Sequence, residues 1–153
     1  MTEDELFACR PLGMRLAMVV RQWRATVNTA LADTGLTQCG WTALMQLRQL
    51  GDNVSVSELA EVQGIELPPL MRTLTQLEKQ GLIARTTSPY DKRIRLLALT
   101  PEGVAMLEKI ACVIEACQAQ AVQNIPAENL EIFSATLNQI ACNLRVKRSH
   151  NKD

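Results

Sequence analysis

The sequence predicts a mainly α-helical (α+β) chain with one short β-hairpin in its second half. Three observations predict it. Leu, Ala, Val, Met and Ile dominate while aromatic residues make up only 3%, so the core is aliphatic and leans helical. Apolar residues recur at spacings of three and four, as in Leu12, Leu16, Val19, Trp23, Val27 and Leu31. Between residues 82 and 100 that period gives way to two runs, "LIARTTS" and "IRLLALT", around the turn-forming "PYDKR".

Each element follows from local chemistry. Residues 11–32 make a first long helix, stopped by Gly35. "LTQCGWTALMQLRQLG" makes a second, with Thr37 as its cap, Trp41, Leu44, Leu47 and Leu50 as its apolar stripe, and Gly51 as its stop. Ser55 with Glu58 three residues on is a capping box, in which hydroxyl and carboxylate each satisfy a free backbone donor. A short helix therefore runs from about Val56 to Gln63 and breaks at Gly64. In "IELPPLMRTLTQLEKQG" the prolines fit only a first turn, where their missing N–H groups have no partner anyway. Pro69 pushes Pro68 toward an extended conformation, so the helix is expected to start at Pro69 and end before Gly81. Leu70, Leu74 and Leu77 face inward; Arg72, Thr75, Gln76 and Lys79 face outward.

Two helices joined by a short turn, the second showing a polar and basic face, form a helix-turn-helix pattern. With the hairpin after it, the pattern becomes a winged helix-turn-helix, covering about residues 36–100. Thr100-Pro101 opens another helix that runs to about Val122, striped by Val104, Leu107, Ala111 and Ile114. After a break at 124–126, Leu130, Phe133, Leu137, Ile140 and Leu144 define the last helix, and "KRSHNKD" reads as a frayed tail. The flanking helices, about 5–34 and 101–146, are long and apolar with little else to cover. Packing against a second copy is the economical solution, and a two-fold dimer would set two recognition helices on successive major grooves. All of it reads as one domain over residues 1–153.

The chain carries 16 basic and 16 acidic residues and is neutral overall. The charge is nonetheless uneven. Arg72, Lys79, Arg85, Lys92, Arg93 and Arg95 cluster where only Glu78 and Asp91 oppose them. A local basic face matters more to polyanion binding than net charge does. The start, "MTEDELFACRP", has no apolar run of a secretory signal, and no stretch approaches the ~20 apolar residues of a membrane helix. A cytoplasmic protein is expected. Cys9, Cys39, Cys112, Cys117 and Cys142 include no C-x-x-C and lie near no histidine, so neither zinc nor a structural disulfide is expected. Most of them read as small buried apolar groups, with Cys9 a candidate redox sensor. The only histidine is His150, and no nucleophile motif, phosphate loop or metal spacing occurs. No catalytic residue, metal or cofactor is expected.

The stretches "PLGMRL", "RQWRA", "GLTQCGW", "VSELAEVQGIE", "MRTLTQLEKQGLI" and "DKRIRLLALTPEG" run in order over residues 11–103. In them the sequence resembles the MarR family of bacterial transcription regulators, and its SlyA-like subgroup in particular. The resemblance implies a homodimer that binds palindromic promoter DNA, commonly as a repressor or counter-silencer, and that releases DNA on binding small aromatic acids such as salicylate. By position, Arg72 falls on a recognition-helix arginine, Arg93 on the arginine that enters the minor groove, and Asp91 on the residue that orients it. The candidate DNA contacts are thus Pro68, Pro69, Arg72, Thr73 and Gln76 on the helix, and Arg85, Lys92, Arg93 and Arg95 on the wing. Arg21, Arg24, Trp41 and Arg72 fall on positions that line a ligand pocket, with Met45 where a histidine occurs in SlyA. Two arginines beside a tryptophan suit an aromatic carboxylate, and Arg72 would couple the two sites. The chain departs from the subgroup at Pro69, where a hydroxyl residue is usual, and at Leu96 and Ala98, which are often basic. Two other readings are a winged helix used only for protein contact and a cysteine-based redox-sensing regulator.

Overall fold

A computed structural model describes residues 1–150, those from 146 onward by their backbone alone. The side chains of Lys147, Arg148 and His150, and the whole of residues 151–153, lie outside the described residues. The elements in order are α1 (Glu3–Ala8), α2 (Leu12–Ala30), a 3-10 turn (Ala32–Thr34), α3 (Gln38–Leu50), β1 (Val54–Ser55), α4 (Val56–Gln63), α5 (Leu67–Lys79), β2 (Ile83–Thr87), β3 (Arg95–Leu99), α6 (Pro101–Ala121) and α7 (Ala127–His150). The fold is the expected mainly helical winged helix-turn-helix. Two compact units are present: Met1–Gln118, which holds everything from α1 through most of α6, and Ala119–Asp153, which holds α7.

The core of the first unit is aliphatic. Leu31, Leu44, Leu47, Leu59, Leu70, Leu74, Leu77, Leu97 and Ile110 are fully buried. The inward stripe of α5 is thereby the expected one, and packing of Leu70, Leu74 and Leu77 fixes which face α5 turns outward. The hairpin pairs Ile83 with Leu99, Arg85 with Leu97 and Thr87 with Arg95. β1 adds to the far side of β3 through Val54 and Leu97, giving an antiparallel sheet in the order β1-β3-β2.

Several boundaries differ from expectation. Helix α5 starts at Leu67, not Pro69, with Glu66 as its N-cap residue. Both prolines sit in the first turn, where no N–H is needed, and Pro68 is helical rather than extended. Helix α7 begins directly after the expected break, and the Pro126 carbonyl accepts from the Leu130 N–H at 3.2 Å. It also runs past Leu144 to His150, over part of the stretch read as frayed. Helix α1 was foreseen only as the edge of a flanking segment, yet Thr2 and Glu5 form a complete capping box there. The Ser55–Glu58 box at α4 is as expected, with both hydrogen bonds made. Ser55→Ala should therefore cost about 1 kcal/mol, read as a lower urea midpoint with an unchanged slope.

The cysteines correct a second expectation. Only Cys117 is buried and Cys39 is half-buried, whereas Cys9, Cys112 and Cys142 are exposed, and all five are free thiols. On α6 the reason is placement: Cys112 lies off the face that buries Gly103, Leu107, Ile110 and Cys117. No helix among the described residues is long and apolar enough to cross a membrane.

Candidate nucleic-acid interface

The wing tip is built by local hydrogen bonding around Asp91. Ser88 N–H donates to the Ile94 carbonyl at 2.9 Å, and the Ile94 N–H donates to the Asp91 carbonyl at 3.0 Å, closing the turn. Asp91 Oδ1 then accepts from the Arg93 backbone N–H at 3.0 Å and from Arg93 Nε at 3.2 Å, while Oδ2 accepts from Nη2 at 3.4 Å. One carboxylate thus fixes both the backbone and the guanidinium of Arg93. The Arg93 side chain stays 90% exposed, so the pair directs the cation outward without neutralising it against the protein interior.

The Arg93 backbone N–H first, and its guanidinium second, hold the Asp91 carboxyl below the usual carboxylate range. The brace is therefore complete at and above that range and is lost only as pH falls through the depressed value of the folded state. NMR titration of the Asp91 carboxyl should place its midpoint below that of a free aspartate, and Arg93→Ala should raise it.

Helix α5 turns Pro68, Pro69, Arg72 and Gln76 to solvent, with Thr73 half-buried at its flank. No ion pair holds Arg72, Lys92 or Arg95 among the described residues; Arg95 Nη1 only donates to Thr87 Oγ1 at 3.3 Å. Arg85 is placed differently from the other expected contacts. Its Nε lies 2.7 Å from Glu78 Oε2, its Nη2 is 3.3 Å from Thr75 Oγ1, and its side chain is 18% exposed. It ties β2 to α5 and so positions the wing against the helix. Sequence spacing showed Glu78 nearby but not that Arg85 would turn to it.

The expected ligand residues divide among three clefts. Arg24, Trp41 and Met45 line one of about 500 Å3, together with Gln38, Cys39 and Gln63. Arg21 and Arg24 line a second, of about 570 Å3, which shares Arg24 and Gln38 with the first. Trp41 Nε1 donates to Asn28 Oδ1 at 2.8 Å, and Asn28 Nδ2 is 3.5 Å from Gln38 Oε1, so a polar chain forms the wall between them. Asn28 and Gln38 carried no sequence signal. Arg72 is not brought to either cleft; it lines a third, smaller one with Gly35, Thr37, Gln76 and Gln80. Within one chain, Arg72 is therefore a neighbour of Thr73 and Gln76 and not of Trp41.

A family model described as MarR family matches residues 36–94. Among solved structures, the transcriptional regulator PA3341 is 30% identical, with 88% of this chain and 98% of that chain covered and a TM-score of 0.77. CouR from Rhodococcus jostii RHA1, bound to p-coumaroyl-CoA, is 26% identical over 88% of this chain and 94% of its own, with a TM-score of 0.74. A MarR mutant from E. coli complexed with operator DNA is 25% identical over 85% and 93%, with a TM-score of 0.76.

Proposed function

This chain belongs to the MarR family, and from that premise we propose that it is a cytoplasmic, homodimeric regulator of the SlyA-like subgroup that binds palindromic promoter DNA. The recognition helix α5 enters the major groove and the wing enters the flanking minor groove. The observation that carries this reading is the Asp91–Arg93 brace at the wing tip. A narrow minor groove concentrates negative potential, and an arginine already held in one direction loses little freedom on entering it.

Exposed apolar side chains support the dimer. Leu12, Val19 and Trp23 of the apolar stripe on α2 are exposed, as are Ile132, Phe133, Leu137 and Leu144 on α7. Leaving so much apolar surface in water is unusual for a monomer and is relieved by a second copy.

The ligand is a small aromatic carboxylate such as salicylate, held by Arg24 with the ring against Trp41 and Met45. Binding releases DNA because the ligand has different affinities for the two arrangements of the reading heads. Charge-assisted hydrogen bonds contribute about 1.5–3 kcal/mol. Arg24→Ala should therefore weaken salicylate about tenfold or more by calorimetry, while Arg72→Ala leaves salicylate binding within about twofold and weakens DNA binding.

The test is a labelled duplex from the promoter beside the protein's own gene, titrated with and without saturating salicylate. Binding that salicylate weakens is expected. Equal DNA affinity with and without every aromatic acid that measurably binds would remove the ligand response. No binding at low salt by folded dimer would leave a protein-contact module in its place.

A further inference from the structure

The first turn of α5 is chemically unusual for an element that reads bases. In helix-turn-helix proteins the N-terminal residues of the recognition helix approach the base edges. Here those residues are Leu67, Pro68, Pro69 and Met71. The two prolines have no N–H to offer, and the Leu70 N–H is directed to the Glu66 carbonyl at 3.4 Å. None of these side chains carries a hydrogen-bond donor. The polar readers, Arg72, Thr73, Thr75 and Gln76, begin only with the second turn.

The apolar first turn is not buried. Leu67 is 47% exposed and Met71 39%, and Ile94 of the wing is 41% exposed. These three side chains line one cleft of about 400 Å3 together with Val56 and the hydroxyl-bearing Ser55 and Ser57 at the start of α4, and with Arg93 and Arg95. An apolar cleft beside two arginines, continuous with the proposed DNA face, suits a surface that is apolar but lies next to phosphates. The 5-methyl group of thymine is such a surface: it is the one apolar group a base pair shows in the major groove, and it lies beside the backbone of its own strand.

We propose that Leu67 and Met71, on the helix side of this cleft, form an apolar reader of thymine 5-methyl groups, which makes thymine the preferred base under the start of α5. The proposal rests on the DNA-binding reading above. Arg72 and Gln76 then supply hydrogen-bond readout one turn further along, and the prolines set the shape of the contact while adding no competing donor.

The experiment separates the two readings. The full-length protein first selects its preferred duplex from a random pool, and thymine should recur at a fixed position in each half-site. Each such thymine is then replaced by deoxyuridine, which removes the methyl group and leaves every hydrogen-bonding edge intact. Wild type should lose about fourfold in affinity per methyl removed, the effect of uncovering one such group. Leu67→Ala/Met71→Ala, two exposed positions, should bind the thymine and deoxyuridine duplexes equally while keeping its helical circular dichroism. Equal binding of both duplexes by wild type, or a selected half-site without a recurrent thymine, would overturn the proposal while leaving DNA binding intact. A cleft that takes salicylate in wild type, loses it in Met71→Ala and ignores deoxyuridine would assign the site to a small aromatic acid instead. Failure to select any duplex at low salt would overturn both readings.

Discussion

Arg93→Ala is expected to weaken DNA binding by about 30-fold or more with no loss of folding stability. A specific arginine contact contributes about 1–3 kcal/mol, and the proposed dimer carries two wings, so even the lower figure doubles to roughly 2 kcal/mol. Stability is unaffected because the Arg93–Asp91 pair is a surface ion pair, with an arginine side chain 90% exposed, and such pairs contribute little to folding. The Asp91 variants then rank by which hydrogen bonds survive. Asp91→Asn keeps an oxygen for the Arg93 backbone N–H and loses the charge; Asp91→Ala loses both. Affinity should fall in the order wild type, Asp91→Asn, Asp91→Ala, Arg93→Ala, as read by fluorescence anisotropy. A loss for Asp91→Ala as large as that for Arg93→Ala would mean that the wing turn itself, and not the guanidinium, makes the contact.

Gly103→Ala is expected to destabilise the fold by on the order of 3 kcal/mol or more, although helix propensity alone predicts a gain of about 1 kcal/mol. Gly103 lies in the first turn of α6, directly against the end of α5 and the start of β2. A Cβ at this position would overlap the Leu82 carbonyl oxygen, with the Leu82 carbonyl carbon at 3.1 Å. That carbonyl cannot retreat freely, because it accepts from the Thr100 N–H at 3.1 Å. Thr100 Oγ1 in turn accepts from the Gly103 N–H at 3.0 Å and donates to the Gly81 carbonyl. The start of α6 is thus fixed to the segment before β2 by two hydrogen bonds, to the Leu82 and Gly81 carbonyls, and a third from the Gly103 N–H holds Thr100 in place around a missing side chain. Urea denaturation at matched protein concentration checks the sign. A stabilised Gly103→Ala would show that this contact is slack.

How much of this was legible in sequence depends on range. The Ser55–Glu58 box was readable because its partners are three residues apart and act through the backbone alone. Thr2 and Glu5 carry the same spacing, but α1 has no apolar stripe to announce a helix. Strand β1 has two residues, too short for any period, and exists only because Val54 meets Leu97 across the sheet. The start of α5 at Leu67 is not legible locally, because the restriction before a proline yields to burial of Leu70, Leu74 and Leu77.

The candidate site divides the same way. Asp91 and Arg93 are two residues apart, so their pairing could be expected from sequence. Arg85 and Glu78 come from different elements, and only the packing of β2 on α5 brings them to 2.7 Å. Helical spacing correctly put Arg21 and Arg24 on one face, yet it could not show that Arg72 lines a different cleft from Trp41. Nothing in sequence marks Met71 and Leu67 as surface residues, since apolar side chains beside a leucine stripe read as core until their exposure is known.

The most direct measurement is the salt dependence of duplex binding for wild type and Arg93→Ala side by side. Each phosphate-neutralising cation releases counterions, so log K falls linearly with log salt. Wild type is expected to show a steep slope, and Arg93→Ala a shallower one, by roughly one unit for each wing removed from the DNA. Parallel lines for the two proteins, or a flat wild-type line, would contradict the claim that this basic wing is where the protein meets DNA.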